Sequence, residues 1–135
     1  MMIEYQEDRP AAEAFHELFA TTGWNNSYRA NVADLERALA ASWCVVAAYD
    51  GDQLVGFGRV VSDGVLYAMV YDMIVRPSHQ RQGIGAEILR RLVARCRAAG
   101  IRNVQLFSAA GISALYEKRG FIARPADRPG MTWLG

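Results

Sequence analysis

The sequence predicts a single α/β (α+β) domain, 1–135, built on a central mixed sheet of about six to seven strands with helices on both faces. Three observations lead there. Residues 65–75 are apolar at odd and even positions alike, apart from Asp72, as in a strand covered on both faces. Ile84, Ile88, Leu89, Leu92, Val93 and Cys96 recur at helical spacing. Strand and helix signals mix along the chain, with no repeat, low-complexity stretch or linker between them.

Taken in order, "MIEYQE" (2–7) reads as a short strand. "RPAAEAFHELFA" (9–20) reads as a helix, with Pro10 near its first turn and Phe15, Leu18 and Phe19 on one side. "TTGWNNSY" (21–28) is rich in turn formers and expected to be irregular. A second helix spans 31–42, with Asn31 as its N-cap and Val32, Leu35, Ala38 and Leu39 on one face. Two strands follow in 43–61 around "DGD", then a long strand ended by Pro77. Asp63-Gly64 predicts a tight two-residue hairpin loop. In that register Ser62 faces Val65, Gly58 faces Met69 and Gly56 faces Tyr71, which would leave open space above the glycines. The helix from 84 stops at Gly100, "NVQLFSA" (103–109) is a buried strand, and "GISALYEKRGF" (111–121) is a short helix ended by Gly120. "FIARP" and "MTWLG" read as short closing strands, joined by a loop, 124–131, without an assigned purpose.

Composition narrows the function classes. A hydrophobic content of 52% supports a core that needs no metal or disulfide. A net charge of +1 points away from nucleic-acid and membrane-surface partners, and the basic run "RRLVARCR" is interleaved with an apolar stripe. No signal-like start and no membrane-length apolar run occur, so a cytoplasmic location is expected. Cys44 and Cys96 form no C-x-x-C pair and are expected to pack in the core. With His16 and His79 the only histidines, no metal cluster of known spacing appears. The absence of G-x-S-x-G excludes the motif of a serine hydrolase.

The stretch "SHQRQGIGAEIL" (78–89) holds the chemistry. A nucleotide P-loop would need Gly-Lys-Ser/Thr where Ile88 stands, with no lysine near. A dinucleotide fingerprint would need its third glycine at Ile88 and an acid near Gln105. What remains is Q/R-x-x-G-x-G/A, spelled Gln80, Arg81, Gln82, Gly83, Ile84, Gly85. A helix start offers partnerless N–H groups and partial positive charge, and glycines let a pyrophosphate approach them.

This motif in "YDMIVRPSHQRQGIGAEILRRL" (71–92), followed after a strand by "ALYEKRGF" (114–121), resembles the GNAT superfamily of acetyl-coenzyme A (acetyl-CoA)-dependent N-acetyltransferases. The resemblance implies transfer of acetyl from acetyl-CoA to a primary amine, expected on a small molecule, by direct attack in a ternary complex without metal. It implies that the backbone of Met73, Ile74 and Val75 holds the pantetheine arm where the central strand splays from its neighbour. Gln80, Arg81, Gln82, Gly83, Ile84, Gly85 and Ala86 would hold the pyrophosphate. An N–H of Met73 or Ile74 would meet the transition-state oxyanion. Tyr116 would protonate the leaving thiolate, as a phenol with pKa near 10 can. Met69, Tyr71 and Asp72 stand where relatives place a base. Asp72 is either a proton relay or a structural ion. Trp24, Tyr28 and Tyr71 would line the acceptor pocket. Arg90, Arg91, Arg95 and Arg97 are expected on the wet face of their helix, and Ala109 replaces an asparagine common in relatives. A homodimer is compatible with the pattern. A protein N-terminus or lysine as acceptor, and a non-catalytic acyl-CoA-binding module, stay open as alternatives.

Overall fold

The computed structural model describes residues 2–135. One sheet runs β1 (Ile3–Gln6), β2 (Cys44–Asp50), β3 (Gln53–Ser62), β4 (Tyr67–Val75), β5 (Asn103–Leu106), so spatial order equals chain order. The first four strands pair antiparallel and β5 lies parallel to β4, which makes the sheet mixed. The helices are α1 (Ala12–Ala20), α2 (Asn25–Tyr28), α3 (Val32–Ala40), α4 (Ile84–Ala98) and α5 (Ser113–Glu117). Alternation along the strands feeds two cores. Phe15, Leu18 and Leu39 of α1 and α3 meet Phe57 and Ile74 on one face, while Ile88, Leu89 and Leu92 of α4 meet Val46 and Val60 on the other. Helices therefore cover both faces, as expected. Asn31 caps α3 in a reciprocal box: its side chain accepts from the Asp34 N–H at 2.8 Å and its own N–H reaches Asp34 at 3.0 Å.

Four expectations need correction. The sheet has five strands among the described residues, because "FIARP" and "MTWLG" pair with nothing. The stretch 21–28 is not wholly irregular: α2 forms in it, and the Asn25 amide clamps both backbone groups of Ala30. The β3–β4 loop has four residues rather than two. The Asp63 carboxylate accepts N–H groups from Val65, Leu66 and Tyr67 at 2.8–3.2 Å, which holds the loop open, and Ser62 pairs with Ala68. Finally, β4 bulges at Asp72, whose φ is 56°, and the pairing shifts again to Phe57–Ile74 and Gly56–Val75. The space expected above Gly56 and Gly58 is consequently filled by α4.

Candidate active site

The central strand is open where its neighbour stops. Pairing of β4 with β5 ends at Val70–Leu106, while β4 runs on to Val75 beside β3. The Arg76 N–H donates to Val55 O at 2.7 Å. Backbone groups alternate direction along a strand, so Ile74 faces β3, whereas Met73 and Val75 face the open side. Of the two amides expected to meet an oxyanion, Met73 is thus the free one. The Ile74 side chain is buried against α1 and α3. The Val75 carbonyl takes the Gln80 side-chain amide at 3.1 Å, which ties the strand end to the glycine loop.

That loop is held from below. His79 Nε2 meets Asp50 Oδ2 at 2.9 Å, its Nδ1 meets Ser78 Oγ at 2.7 Å, and Arg76 donates to Leu54 O at 2.9 Å. Arg81 and Gly83 both adopt left-handed backbone, φ 64° and 83°, and α4 starts without a side-chain cap. The N–H groups of Arg81 to Ala86 make no hydrogen bond among the described residues. A Cβ at Gly83 would meet nothing within 4 Å, and one at Gly85 only Val75 at 3.5 Å. Free amides, a dipole end and empty space suit a pyrophosphate.

A groove of about 570 Å³ leads from Gly83 and Ala86 past Arg90, Arg97, Arg119 and Phe121. Glu87 also borders it, but Arg90 and Arg91 both bond its carboxylate at 2.7 Å and push its pKa down to about 2. Arg97 and Arg119 form no salt bridge among the described residues, which makes them the groove's available cations. Arg91 and Arg95 turn elsewhere, over the rings of Tyr5 and Trp43. Arg119 was missed by sequence reasoning, since nothing in "YEKRGF" marks its arginine as facing a groove.

The "YEKRGF" spacing has a local cause. Gly120 takes φ 92°, the Phe121 N–H returns to Tyr116 O at 3.1 Å, and the Phe121 ring meets the Tyr116 ring edge-on at 6.1 Å. This is a glycine-ended helix stop with its hydrophobic contact, and it pins Tyr116. The ring is 7% exposed, and burial raises the phenol pKa. Its hydroxyl makes no hydrogen bond among the described residues, and no buried polar side-chain atom lacks a partner. The hydroxyl therefore opens into the adjoining cavity of about 830 Å³, bordered by Met69, β5 and residues 122–130. Ala109 is exposed, four residues before α5, and gives α5 no side-chain cap.

The other named residues fall in three places. Asp72 Oδ2 accepts Arg59 Nε at 2.6 Å, and Arg59 also reaches Ala38 O on α3 and Ser42 Oγ just past its end. The structural reading of Asp72 fits this geometry. Trp24 and Tyr28 pack on Phe19 at 6.0 and 6.3 Å, on the face opposite Tyr116. Tyr71 is exposed on β4, beside the point where β5 departs.

Residues 41–123 match the acetyltransferase (GNAT) domain family. The chain belongs to this family. The GNAT domain is similar to a GNAT-family acetyltransferase from Streptococcus pneumoniae, 32% identical with a TM-score of 0.85, covering 99% of this chain and 98% of that one. A probable acetyltransferase from meticillin-resistant Staphylococcus aureus is 26% identical with a TM-score of 0.86, each chain covered to 98%. Serotonin N-acetyltransferase 2 of Oryza sativa subsp. japonica is 34% identical over 89% of this chain, which spans 60% of that relative's length.

Proposed function

We propose that this GNAT domain transfers acetyl from acetyl-CoA to the primary amine of a small molecule. The observation that supports this most is a matched pair of idle donors: partnerless amides at the start of α4 and a pinned phenol on α5. Acetyl-CoA supplies an activated acetyl group on sulfur. The amides of Gly83 to Ala86 would take its pyrophosphate, Arg97 and Arg119 an outer phosphate, and the Met73 and Val75 backbone its amide arm. The Met73 N–H would stabilise the oxyanion, the nitrogen, once bonded to the acetyl carbon, would release its proton to water, and Tyr116 Oη would give its own proton to the sulfur as the C–S bond breaks. Burial pushes the Cys44 thiol up to about 11 and raises Cys96 as well, so neither suits an acyl-enzyme route. Asp72, held by Arg59, shapes the bulge rather than taking a proton. Trp24, Tyr28 and Tyr71 would wall the acceptor site, where aromatic surface suits an aryl amine. The name of the rice relative makes serotonin the first acceptor to try. Two free cysteines suit a reducing compartment such as the cytoplasm.

An amine panel with acetyl-CoA tests this reading: thiol release should require an amine and should add one acetyl group to it. Tyr116→Phe should lower kcat about 10²-fold and leave coenzyme A affinity unchanged. Because burial raises the phenol pKa, the acid form persists through neutral pH. The wild-type rate should fall only above the ordinary phenol value near 10, and the variant should lack that limb. No thiol release with any amine would reject the transferase reading, and wild-type turnover in Tyr116→Phe would make the tyrosine a packing residue.

A further inference from the structure

Between Arg76 and α4 the chain is tied to the sheet at two points among the described residues, both by side chains. After the 3-10 turn Pro77–His79, regular backbone bonding resumes only where the Glu87 N–H reaches Gly83 O at 3.1 Å. Arg81 and Gln82 make no backbone hydrogen bond in between, yet Arg81 holds φ 64°. An arginine stays in left-handed backbone only where its surroundings keep it there. The nearest holds are the two side chains before it: Gln80 Nε2 donates to Val75 O at 3.1 Å, and His79 Nε2 meets Asp50 Oδ2 at 2.9 Å. The Gln80 tie lies in a ligand's path, because Val75 O faces the open side of β4 where the amide arm is assigned. The His79 tie does not. Asp50 ends β2, paired with Ile3 on β1 and Gln53 on β3, so β3 separates it from that open side. The His79 side chain is 11% exposed, with Nδ1 on Ser78 Oγ at 2.7 Å. A carboxylate oxygen accepts, so Nε2 carries a proton, and the Ser78 hydroxyl can donate to Nδ1 or accept from it. Both ring nitrogens are therefore satisfied whether the imidazole is neutral or charged, which makes the tie a fixed anchor.

We propose that His79 and Asp50 are positioning residues for the cofactor. Their bond fixes the path of the loop against β2, and so aims the free N–H groups of Arg81 to Ala86 before a pyrophosphate arrives. Neither residue touches the ligand. They raise affinity because the loop is already ordered in the free protein, which removes that cost from binding. The inference rests on the acetyl-CoA reading above and adds to it an anchor on the far side of β3.

Calorimetric titration with coenzyme A reads the effect directly. His79→Ala and Asp50→Ala should each weaken binding about tenfold, the scale of one hydrogen bond to a charged group. The double variant should lose no more than either alone, because both remove the same bond. His79→Gln keeps an Nε2 donor the same number of bonds from the backbone, and should bind within about threefold of wild type. On a working acceptor the acetyl-CoA KM should rise in step while kcat holds. Asp50 is 39% exposed, so Asp50→Ala leaves the packed ring in place and keeps the test open if His79→Ala fails to fold. A pair that merely stabilises the fold would lower the melting temperature and leave the folded chain with native affinity, and that pattern overturns the proposal. So do losses that multiply in the double variant. A wild type that binds no coenzyme A rejects the acetyl-CoA reading itself, and this inference falls with it; native affinity in the variants alone rejects only the anchor.

Discussion

Gly56 and Gly58 on β3, and Gly83 and Gly85 at the start of α4, border the same helix, yet their missing side chains serve opposite ends. A Cβ at Gly58 would lie 2.7 Å from Met73 Sδ and 2.9 Å from both Ile88 and Leu92. At Gly56 it would lie 2.9 Å from Ile84 and 3.0 Å from Ile88. These two glycines let α4 sink onto the sheet, and the protein itself fills the space. Around Gly83 and Gly85 the space stays open, beside amides that nothing engages. The same G-x-G spelling thus means close packing in one place and room for a ligand in the other. What would meet the absent Cβ decides which.

The sharpest break of this contrast is Gly58→Val. Of three clashes below 3.0 Å, those with the fully buried Ile88 and Leu92 leave no cheap adjustment, and the third is with the partly buried Met73; overpacking of a dense core typically costs about 1–3 kcal/mol and occasionally more. Loss of at least about 3 kcal/mol is expected, seen as a collapsed urea midpoint or as insoluble protein. A variant within a degree of the wild-type melting temperature would mean that α4 sits less tightly than its contacts indicate.

Gly85→Val is the mirror experiment. Its backbone is not left-handed, unlike that of Gly83, and the new side chain would begin at ordinary contact distance from Val75, 3.5 Å, with no clash. The fold should persist with a near-native melting temperature. Coenzyme A affinity should fall by about 10²-fold or more, since bulk would cover the amides that receive a pyrophosphate. Calorimetric titration giving native affinity in a folded Gly85→Val chain would remove the loop from the site.

Local signals were legible in the sequence, and non-local ones were not. The α4 stripe, the Asn31 cap, the glycine loop and the Tyr116–Gly120–Phe121 spacing each depend on residues within a few positions of one another, so their periodicity and turn chemistry could be read directly. The hairpin register could not, because it turns on one carboxylate, Asp63, gathering three N–H groups across a wider loop. The bulge at Asp72 was hidden for the same reason: it shows only once Arg59 has been brought alongside it. "FIARP" and "MTWLG" have the composition of strands, but composition does not reveal that the segment between them closes on itself, with the Arg128 N–H on Pro125 O and Arg124 Nε on Arg128 O, instead of running along the open β5 edge.

Asp72 tests the self-filled side of the contrast at smaller amplitude. Its φ of 56° lies where aspartate and asparagine are the best-tolerated side chains after glycine. Asp72→Asn therefore keeps the bulge and an acceptor oxygen while removing the charge opposite Arg59. The two side chains are 17% and 18% exposed, between a buried and a surface pair. Breaking a fully buried pair costs about 3–5 kcal/mol and a surface pair about 0–1, so about 1–2 kcal/mol is expected. That corresponds to a melting temperature lower by roughly 3–8 °C in a chain of this size. Turnover on a working acceptor should stay within about twofold, because the carboxylate serves the strand and not the proton. The opposite pattern, an unchanged melting temperature with turnover down by about 10²-fold, would move Asp72 to the ligand's side, beside Tyr116.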